Sequence, residues 1–193
     1  MKRLKLFSLI LISIGIIMIS YAILAKLWSL NKQNHLTKYY EKQIENHQKH
    51  PNKTSSGVDK YKSGTIGILI INKIDLKVTI GEGTDSSTLK YAIGHFKDTA
   101  MPGEKGNFCV AGHRNYTYGE YFNRLDELEV GDEIIVKTTN GTYKYIVYNK
   151  KIVLPEQVEV LNSTKNATMT LITCTPVRVA THRLIINAKL SPN

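Results

Sequence analysis

Three residues of the sequence could together carry out acyl transfer: Cys174, His113 and Arg183. A cysteine thiol is a strong nucleophile, a histidine moves protons, and an arginine stabilises a developing oxyanion with directed N–H donors. A thiol enzyme that attacks a carbonyl group needs these three parts. Because Cys174 is followed by Thr175 and Pro176, and proline disfavours a continued β-ladder, we expect the thiol at the end of a strand.

The other two residues also lie next to predicted strand ends. His113 stands in the run AGHRN, just after a strand predicted to end near Ala111, and Arg183 opens the last predicted strand in HRLIINAKL. Taken singly, each residue has an ordinary structural alternative, since lone cysteines and histidines are often buried core residues and arginines are often solvated. Three strand ends with complementary chemistry predict a shared site.

A second cysteine and a second histidine of the sequence are predicted to lie outside the catalytic set. Cys109 lies between Phe108 and Val110 in the middle of an apolar run, so we expect a core thiol. His182 adjoins Arg183, and the alternation of side chains along a strand puts the two on opposite faces. Only one of them can face the site.

The part of the chain that must position these residues has an all-β pattern. Short runs rich in Val, Ile, Thr and Tyr predict seven strands, and Asn140-Gly141 between two of them is a strong hairpin signal. The pattern favours a single barrel or sandwich with a few short helices. The predicted strands are Ile66–Ile71, Lys77–Ile80, Asn107–Ala111, Glu133–Thr138, Thr142–Val153, Thr168–Cys174 and Arg183–Leu190, and the predicted helices are Ser87–Ile93 and Tyr121–Leu128.

An N-terminal membrane anchor is predicted before this domain. Residues 6–25 form an uncharged apolar run long enough to cross about 30 Å of hydrocarbon as a helix. Basic residues in the segment 1–5 predict a cytoplasmic N-terminus and an extracellular remainder. A cleaved signal peptide is the alternative, but the run is long for one and lacks a clean small-x-small site.

Composition and charge predict where the folded domain begins and which ligands it does not bind. Residues 26–63 carry eight lysines and few apolar residues, so they predict an extracellular stalk or linker, followed by the domain at 64–193. The formal net charge is +10, yet residues 64–193 hold 15 basic and 13 acidic side chains. This even balance, with no nucleic-acid-reading motif, argues against nucleic-acid binding.

The combination of motifs resembles the sortase family. The run TLITC ends at Cys174, Arg183 follows nine positions later, and Gly112-His113 precedes both after a strand. Sortases carry a TLxTC strand end, an arginine on the next strand and an upstream histidine. The resemblance covers about residues 64–190 and implies a closed eight-stranded β-barrel after the N-terminal transmembrane helix.

The resemblance also implies an activity and a role for each residue. A sortase cleaves an LPxTG-like sorting signal between Thr and Gly and transfers the protein to a peptidoglycan amine through a thioacyl intermediate. Cys174 would be the nucleophile, His113 the proton donor and acceptor, and Arg183 the oxyanion group, while Thr173 would contact substrate. The implied partners are sorting-signal proteins, a cell-wall amine and the membrane, with no cofactor expected.

Subclass and rival functions stay open at this level. The short link between Val153 and Thr168 leaves little room for the long helix of class B members, and no hydrophobic span of the kind typical of pilin-polymerising sortases follows the last strand. Class A-like and class D enzymes are left, of which we prefer class D. Class A members can bind calcium, but the available carboxylates, Asp98, Glu104, Glu156 and Glu159, form no compact acidic loop, so no metal is expected. The alternatives are another exported cysteine transpeptidase, such as the L,D type, and a non-catalytic β-domain that binds the cell wall.

Overall fold

A long helix precedes the folded domain in the computed structural model, which describes residues 2–49, 64–114 and 120–192. Helix α1 runs from Lys2 to Lys49, and its segment Lys5–Trp28 is long and apolar enough to span a membrane. A helix satisfies its own backbone hydrogen bonds, which a segment in hydrocarbon requires. The second part of the predicted stalk, residues 50–63, lies outside the described residues.

The C-terminal part of α1 packs against the folded domain. Ile44 is only 5% exposed, the hydroxyl oxygens of Thr37 and Thr79 lie 3.3 Å apart, and Glu41 forms an ion pair with Lys77. These contacts recur at helical spacing, three or four residues apart, so one face of α1 follows the sheet. The first part of the stalk segment is therefore a docked helix.

Eight strands form the folded domain. They are β1 (Thr65–Ile71), β2 (Leu76–Glu82), β3 (Ile93–His95), β4 (Gly106–Ala111), β5 (Glu133–Thr138), β6 (Gly141–Val153), β7 (Ala167–Thr175) and β8 (His182–Leu190). One short helix, α2, spans Ser86–Leu89, and 3₁₀ turns lie at Asn72–Ile74, Glu120–Phe122, Leu125–Glu127 and Val158–Leu161. Each of the seven strands expected from the sequence is present within two residues of its predicted ends.

The strands close into a barrel in the order β1-β2-β3-β4-β7-β8-β6-β5. The pairs β2–β3 and β4–β7 are parallel, and the others are antiparallel. The predicted closed eight-stranded barrel is confirmed. The β4–β7 pair matters most for function, because it joins the strand that leads to His113 with the strand that carries Cys174.

Alternation along the strands separates an inner core from an outer apolar cluster. In β7, Met169 and Leu171 belong to the barrel interior, whereas Ile172 packs outside with Val153 and Ile185. The outer cluster is covered by Val160 and Leu161 of the β6–β7 connection, among others. Burial on both faces from Met169 to Thr173 explains why this part of β7 carries only apolar residues and hydrogen-bonded threonines, and no charged side chain.

The connection between β6 and β7 is fixed to the barrel by one side chain. The Asn107 amide nitrogen donates to the carbonyl oxygens of Val160, at 3.0 Å, and Asn162, at 3.2 Å. Its amide oxygen accepts a 2.8 Å hydrogen bond from Thr170 of β7. The connection is thus held over the outer face of β4 and β7, on the side where Cys174 lies.

Two local predictions were wrong. The helix expected at Ser87–Ile93 ends at Leu89, and Ile93 begins strand β3. The helix expected at Tyr121–Leu128 consists of two 3₁₀ turns instead. In both places partners distant in sequence decide the backbone: β3 pairs with β2 and β4, and the Phe122 amide donates to the His113 carbonyl at 3.2 Å.

Candidate active site

The three candidate residues lie on adjacent strand ends. Cys174 of β7 is the direct register partner of Arg183 in β8. On the other side of β7, Ala111 pairs with Ile172, and the same register continued by two residues brings His113 beside Cys174. Because neighbouring strands are about 4.8 Å apart, the structure brings His113, Cys174 and Arg183 into one row with the cysteine in the middle.

This row belongs to the outer face of the barrel. Cys174 follows Ile172 by two residues and Arg183 precedes Ile185 by two, so both share the face of the outer apolar cluster. Cys174 is half-buried. The thiol therefore lies on the outside of the barrel, at the edge of this covered apolar cluster, rather than inside the barrel.

The two thiols differ in the way the sequence predicts. Cys109 lies in the middle of β4, is fully buried, and burial raises the pKa of its thiol to about 12. A thiol with this pKa is protonated at neutral pH and is a poor nucleophile. The prediction that Cys109 is a core residue is confirmed.

The loop that carries His113 is held against β7 by two hydrogen bonds at Gly112. The Gly112 amide donates to the Ile172 carbonyl at 3.1 Å, and the Thr173 hydroxyl donates to the Gly112 carbonyl at 2.8 Å. A Cβ atom at Gly112 would come within 2.7 Å of the Phe122 ring, so glycine is needed for this close approach. The position of His113 relative to Cys174 is thus fixed by its neighbour.

Thr173 has a structural contact in this arrangement. Its side chain is only 2% exposed, and its hydroxyl is the donor to Gly112 described above. It points away from the face shared by Cys174 and Ile172. The predicted contact between Thr173 and substrate stays a prediction, and the observed geometry gives this residue a role in joining β7 to the His113 loop.

The sequence analysis did not identify Arg114, whose side chain links the His113 loop to the end of β7. Its buried guanidinium donates from Nη1 to the Thr175 hydroxyl at 3.1 Å and from Nε to the Asn123 carbonyl at 3.3 Å. Its Nη2 lies 2.7 Å from the carboxylate of Asp126. Arg114 follows His113 directly, and Thr175 follows Cys174 directly, so one side chain links the neighbours of both residues.

A signal for this role was present in the sequence. An arginine beside a candidate catalytic histidine, in AGHRN, suggests a charged group that must find a partner if it is buried. The sequence does not identify that partner, because Asp126 is one of several acidic residues in the region that follows.

Arg183 bends back onto the β7–β8 connection. Its Nη1 donates to the carbonyls of Ala180 and His182, both at 3.0 Å. Within the described part of the chain, its Nε and Nη2 groups make no hydrogen bond and remain as donors for a ligand. Ala180 has φ of 60°, a left-handed conformation that is unusual for alanine, so the Arg183 contact supports a strained turn.

His182 lies on the other face of β8. It shares that face with Leu184, which belongs to the barrel core, and its Nδ1 lies 2.9 Å from the Thr181 hydroxyl. The alternation expected from the sequence is therefore present at the start of β8. Arg183, not His182, is on the side of Cys174.

The described residues place the possible metal-binding side chains apart from one another. Across residues 2–49, 64–114 and 120–192, no three His, Cys, Asp or Glu side chains come together in a way that could hold a metal ion. Of the four carboxylates weighed for calcium, Glu104 accepts a hydrogen bond from the Met101 amide and Glu159 one from the Gln157 amide. The chemistry available at the row is that of a thiol, an imidazole and a guanidinium.

Comparison with known proteins gives a consistent result. A family model described as the sortase domain matches residues 69–191. Sortase SrtE1 of Streptomyces coelicolor is 37% identical over 142 residues, covering 64% of this chain and 39% of that protein. Sortase D of Bacillus subtilis is 35% identical over 127 residues, covering 64% of this chain and 62% of that protein. The matches thus span less than two thirds of either relative.

Solved sortase structures are similar to this chain in fold and in sequence. A sortase D5 transpeptidase from Clostridium perfringens superposes with a TM-score of 0.71 and 33% identity, covering 84% of this chain and 99% of that one. The SrtA sortase from Actinomyces oris superposes with a TM-score of 0.60 and 38% identity, covering 67% of this chain and 81% of that one.

Proposed function

Because the chain belongs to the sortase family, we propose that it is a membrane-anchored cysteine transpeptidase that cleaves an LPxTG-like sorting signal and transfers the product to a cell-wall amine. The observation that carries this proposal is the row of His113, Cys174 and Arg183 across the adjacent strand ends of β4, β7 and β8. A nucleophile, a proton carrier and an oxyanion donor side by side are the requirements of acyl transfer.

The first half-reaction forms a thioacyl enzyme. The Cys174 thiol gives its proton to His113, and the sulfur attacks the carbonyl carbon of the Thr–Gly bond. Arg183 donates to the resulting oxyanion through its Nε and Nη2 groups. As the intermediate collapses, the carbon–nitrogen bond breaks and His113 protonates the departing glycine amine.

The second half-reaction transfers the acyl group. An incoming amine gives a proton to His113 and attacks the thioester carbonyl, while Arg183 again stabilises the oxyanion. The carbon–sulfur bond then breaks, a new amide forms, and the proton returns to the Cys174 sulfur. The half-buried position of the thiol favours an amine over water, because the apolar surface around Ile172 and Ile185 limits solvent access.

The location and partners follow from the same proposal. The helix Lys5–Trp28 would anchor the protein with its N-terminus in the cytoplasm and the barrel outside. Sorting-signal proteins would be the acyl donors and a peptidoglycan amine the acceptor. The similarity to Sortase D and to a sortase D5 structure favours class D over a class A-like assignment.

Transfer to an added amine is the direct test of this function. We expect the full chain in detergent or nanodiscs to cleave an LPxTG-like peptide, with oligoglycine or hydroxylamine diverting the product from hydrolysis to transfer. Mass spectrometry separates the acid product from the amide or hydroxamate. Binding of such peptides without any cleavage, unaffected by a methanethiosulfonate reagent, would favour the non-catalytic wall-binding alternative.

A second prediction concerns Arg114, which we expect to position His113 relative to Cys174. We expect Arg114→Lys to keep the charge facing Asp126 but lose hydrogen bonds to Thr175 or Asn123, lowering kcat about tenfold with little change in KM. Arg114→Ala also removes the hydrogen bonds of a buried guanidinium, although Asp126 itself is 53% exposed, and should lower the free energy of unfolding by about 2 kcal/mol. Steady-state kinetics and thermal unfolding separate the two effects.

The matched control for this prediction is Arg124→Ala. Arg124 lies in the same region, pairs with Glu127, and its side chain is 49% exposed. An exposed ion pair is screened by solvent and contributes little, so activity and stability should change little. If Arg114→Lys left kcat unchanged, or if Arg124→Ala lowered kcat as much, Arg114 would not be a positioning residue.

A further inference from the structure

One lysine joins the end of the candidate membrane span to the barrel. The Lys32 ammonium lies 5.3 Å from the ring centroid of Trp28 and 4.2 Å from that of Tyr91. The Lys90 ammonium lies 5.4 Å from the same Tyr91 ring. Trp28 and Lys32 belong to α1, and Lys90 and Tyr91 to the turn between α2 and β3. We call these four residues the membrane-contact surface.

The position of this surface along α1 sets its height above the bilayer. The candidate span ends at Trp28, and Lys32 follows one helical turn later, which is a rise of about 6 Å. The headgroup region on each side of a bilayer is also only about 5–8 Å thick. Since the Lys32 ammonium lies over both rings, the Tyr91 side chain must lie close to the headgroup level of Trp28.

Further contacts hold the barrel in this position. Beyond Lys32, the helix contacts β2 through Thr37 and Thr79 and through the ion pair of Glu41 with Lys77, and Ile44 is buried on the same side of the helix. These positions extend over about two turns of α1. The barrel is therefore attached along the helix and could leave the membrane surface only by breaking these contacts.

We propose that the barrel rests on the membrane through the membrane-contact surface, which binds anionic phospholipid headgroups. Two ammonium groups match phosphate groups, and Trp and Tyr rings are typical of the interface between hydrocarbon and water. The proposal rests on the membrane anchor of the proposed function. It adds that the catalytic barrel itself touches lipid and is not held away from the bilayer by a stalk.

The test measures the depth of a fluorescent probe at three positions. The full chain with Cys174→Ala is reconstituted in nanodiscs, so that an added cysteine is labelled and the buried Cys109 is not. The added cysteines are Ser86→Cys in α2 near Lys90, Ile16→Cys in the span, and Val130→Cys, an exposed position just before β5 at the opposite end of the barrel. Each is labelled with bimane and quenched by nitroxide lipids.

The three positions distinguish the possible results. We expect a headgroup nitroxide to quench the Ser86→Cys probe at least about threefold more than the Val130→Cys probe, and an acyl-chain nitroxide to quench the Ile16→Cys probe. A quenched Ile16→Cys probe with equal, weak quenching at the other two positions would overturn the contact but leave the anchor intact. An unquenched Ile16→Cys probe would overturn the anchor itself, and with it the contact.

Charge substitutions test the identity of the ligand. We expect the double change Lys32→Gln and Lys90→Gln to reduce quenching at Ser86→Cys in phosphatidylglycerol nanodiscs by about half or more, to the level seen in phosphatidylcholine. The control pair is Lys165→Gln and Lys189→Gln, two exposed lysines outside the surface, which should leave quenching unchanged. Equal quenching in both lipids, or equal effects of the two pairs, would overturn the assignment to anionic headgroups.

Discussion

Replacing Cys174 with alanine is expected to lower kcat/KM for cleavage of an LPxTG-like peptide by about 10,000-fold or more, because no thioacyl enzyme can form without the sulfur. The peptide can still bind along the outer face, so KM for any residual reaction should change less than kcat. Mass spectrometry of the protein after incubation with peptide should show an acyl adduct on the native chain and none on the variant.

The matched control is Cys109→Ala. Cys109 is fully buried in β4, and its raised pKa keeps the thiol protonated at neutral pH. This variant should retain most of its kcat/KM and lose stability instead, because the smaller side chain leaves a gap in a packed core. Equal losses of activity in the two variants would remove the assignment of Cys174 as the nucleophile.

Arg183→Lys is expected to reduce kcat/KM by about 100- to 1,000-fold, the usual cost of losing one oxyanion donor. Lysine keeps the positive charge but has no planar fork, so it cannot direct two N–H groups at one developing charge. It also cannot reproduce both contacts of Arg183 with the Ala180 and His182 carbonyls. Circular dichroism should show that the variant remains folded.

His182→Ala is the control for this change, since it alters the neighbouring residue on the opposite face of β8. We expect its kcat/KM to change by less than about tenfold. If His182→Ala proved the more damaging substitution, the oxyanion role would have to move from Arg183 to another donor, despite the register that pairs Arg183 with Cys174.

The sequence alone determined the parts that depend on local patterns. Runs of β-branched residues predicted seven of the eight strands, and an uncharged apolar run predicted the candidate membrane span of α1. It also distinguished the core thiol of Cys109 from Cys174, and the two faces of β8 at His182 and Arg183. Each of these features follows from side-chain periodicity or from a neighbouring proline, which a short window of sequence contains.

Short elements depended on distant partners instead. Strand β3 has only three residues, including Gly94, so its own sequence has too little alternation to predict a strand. It exists because β2 and β4 supply hydrogen bonds on both sides. The turns at Glu120–Phe122 and Leu125–Glu127 likewise follow the packing of Phe122 and Leu125 in the core, not a helical pattern.

Only the tertiary structure decided how the chemistry is held in place. Arg114 reaches Thr175 across 61 positions of sequence, and Thr37 on α1 reaches Thr79 across 42. Local patterns indicate which residues are buried and where strands end, but they carry no information on which strands become neighbours. The closed barrel places the strand of Cys174 between those of His113 and Arg183, and the same closure lets α1 dock against β2, because a barrel fixes every strand relative to all others.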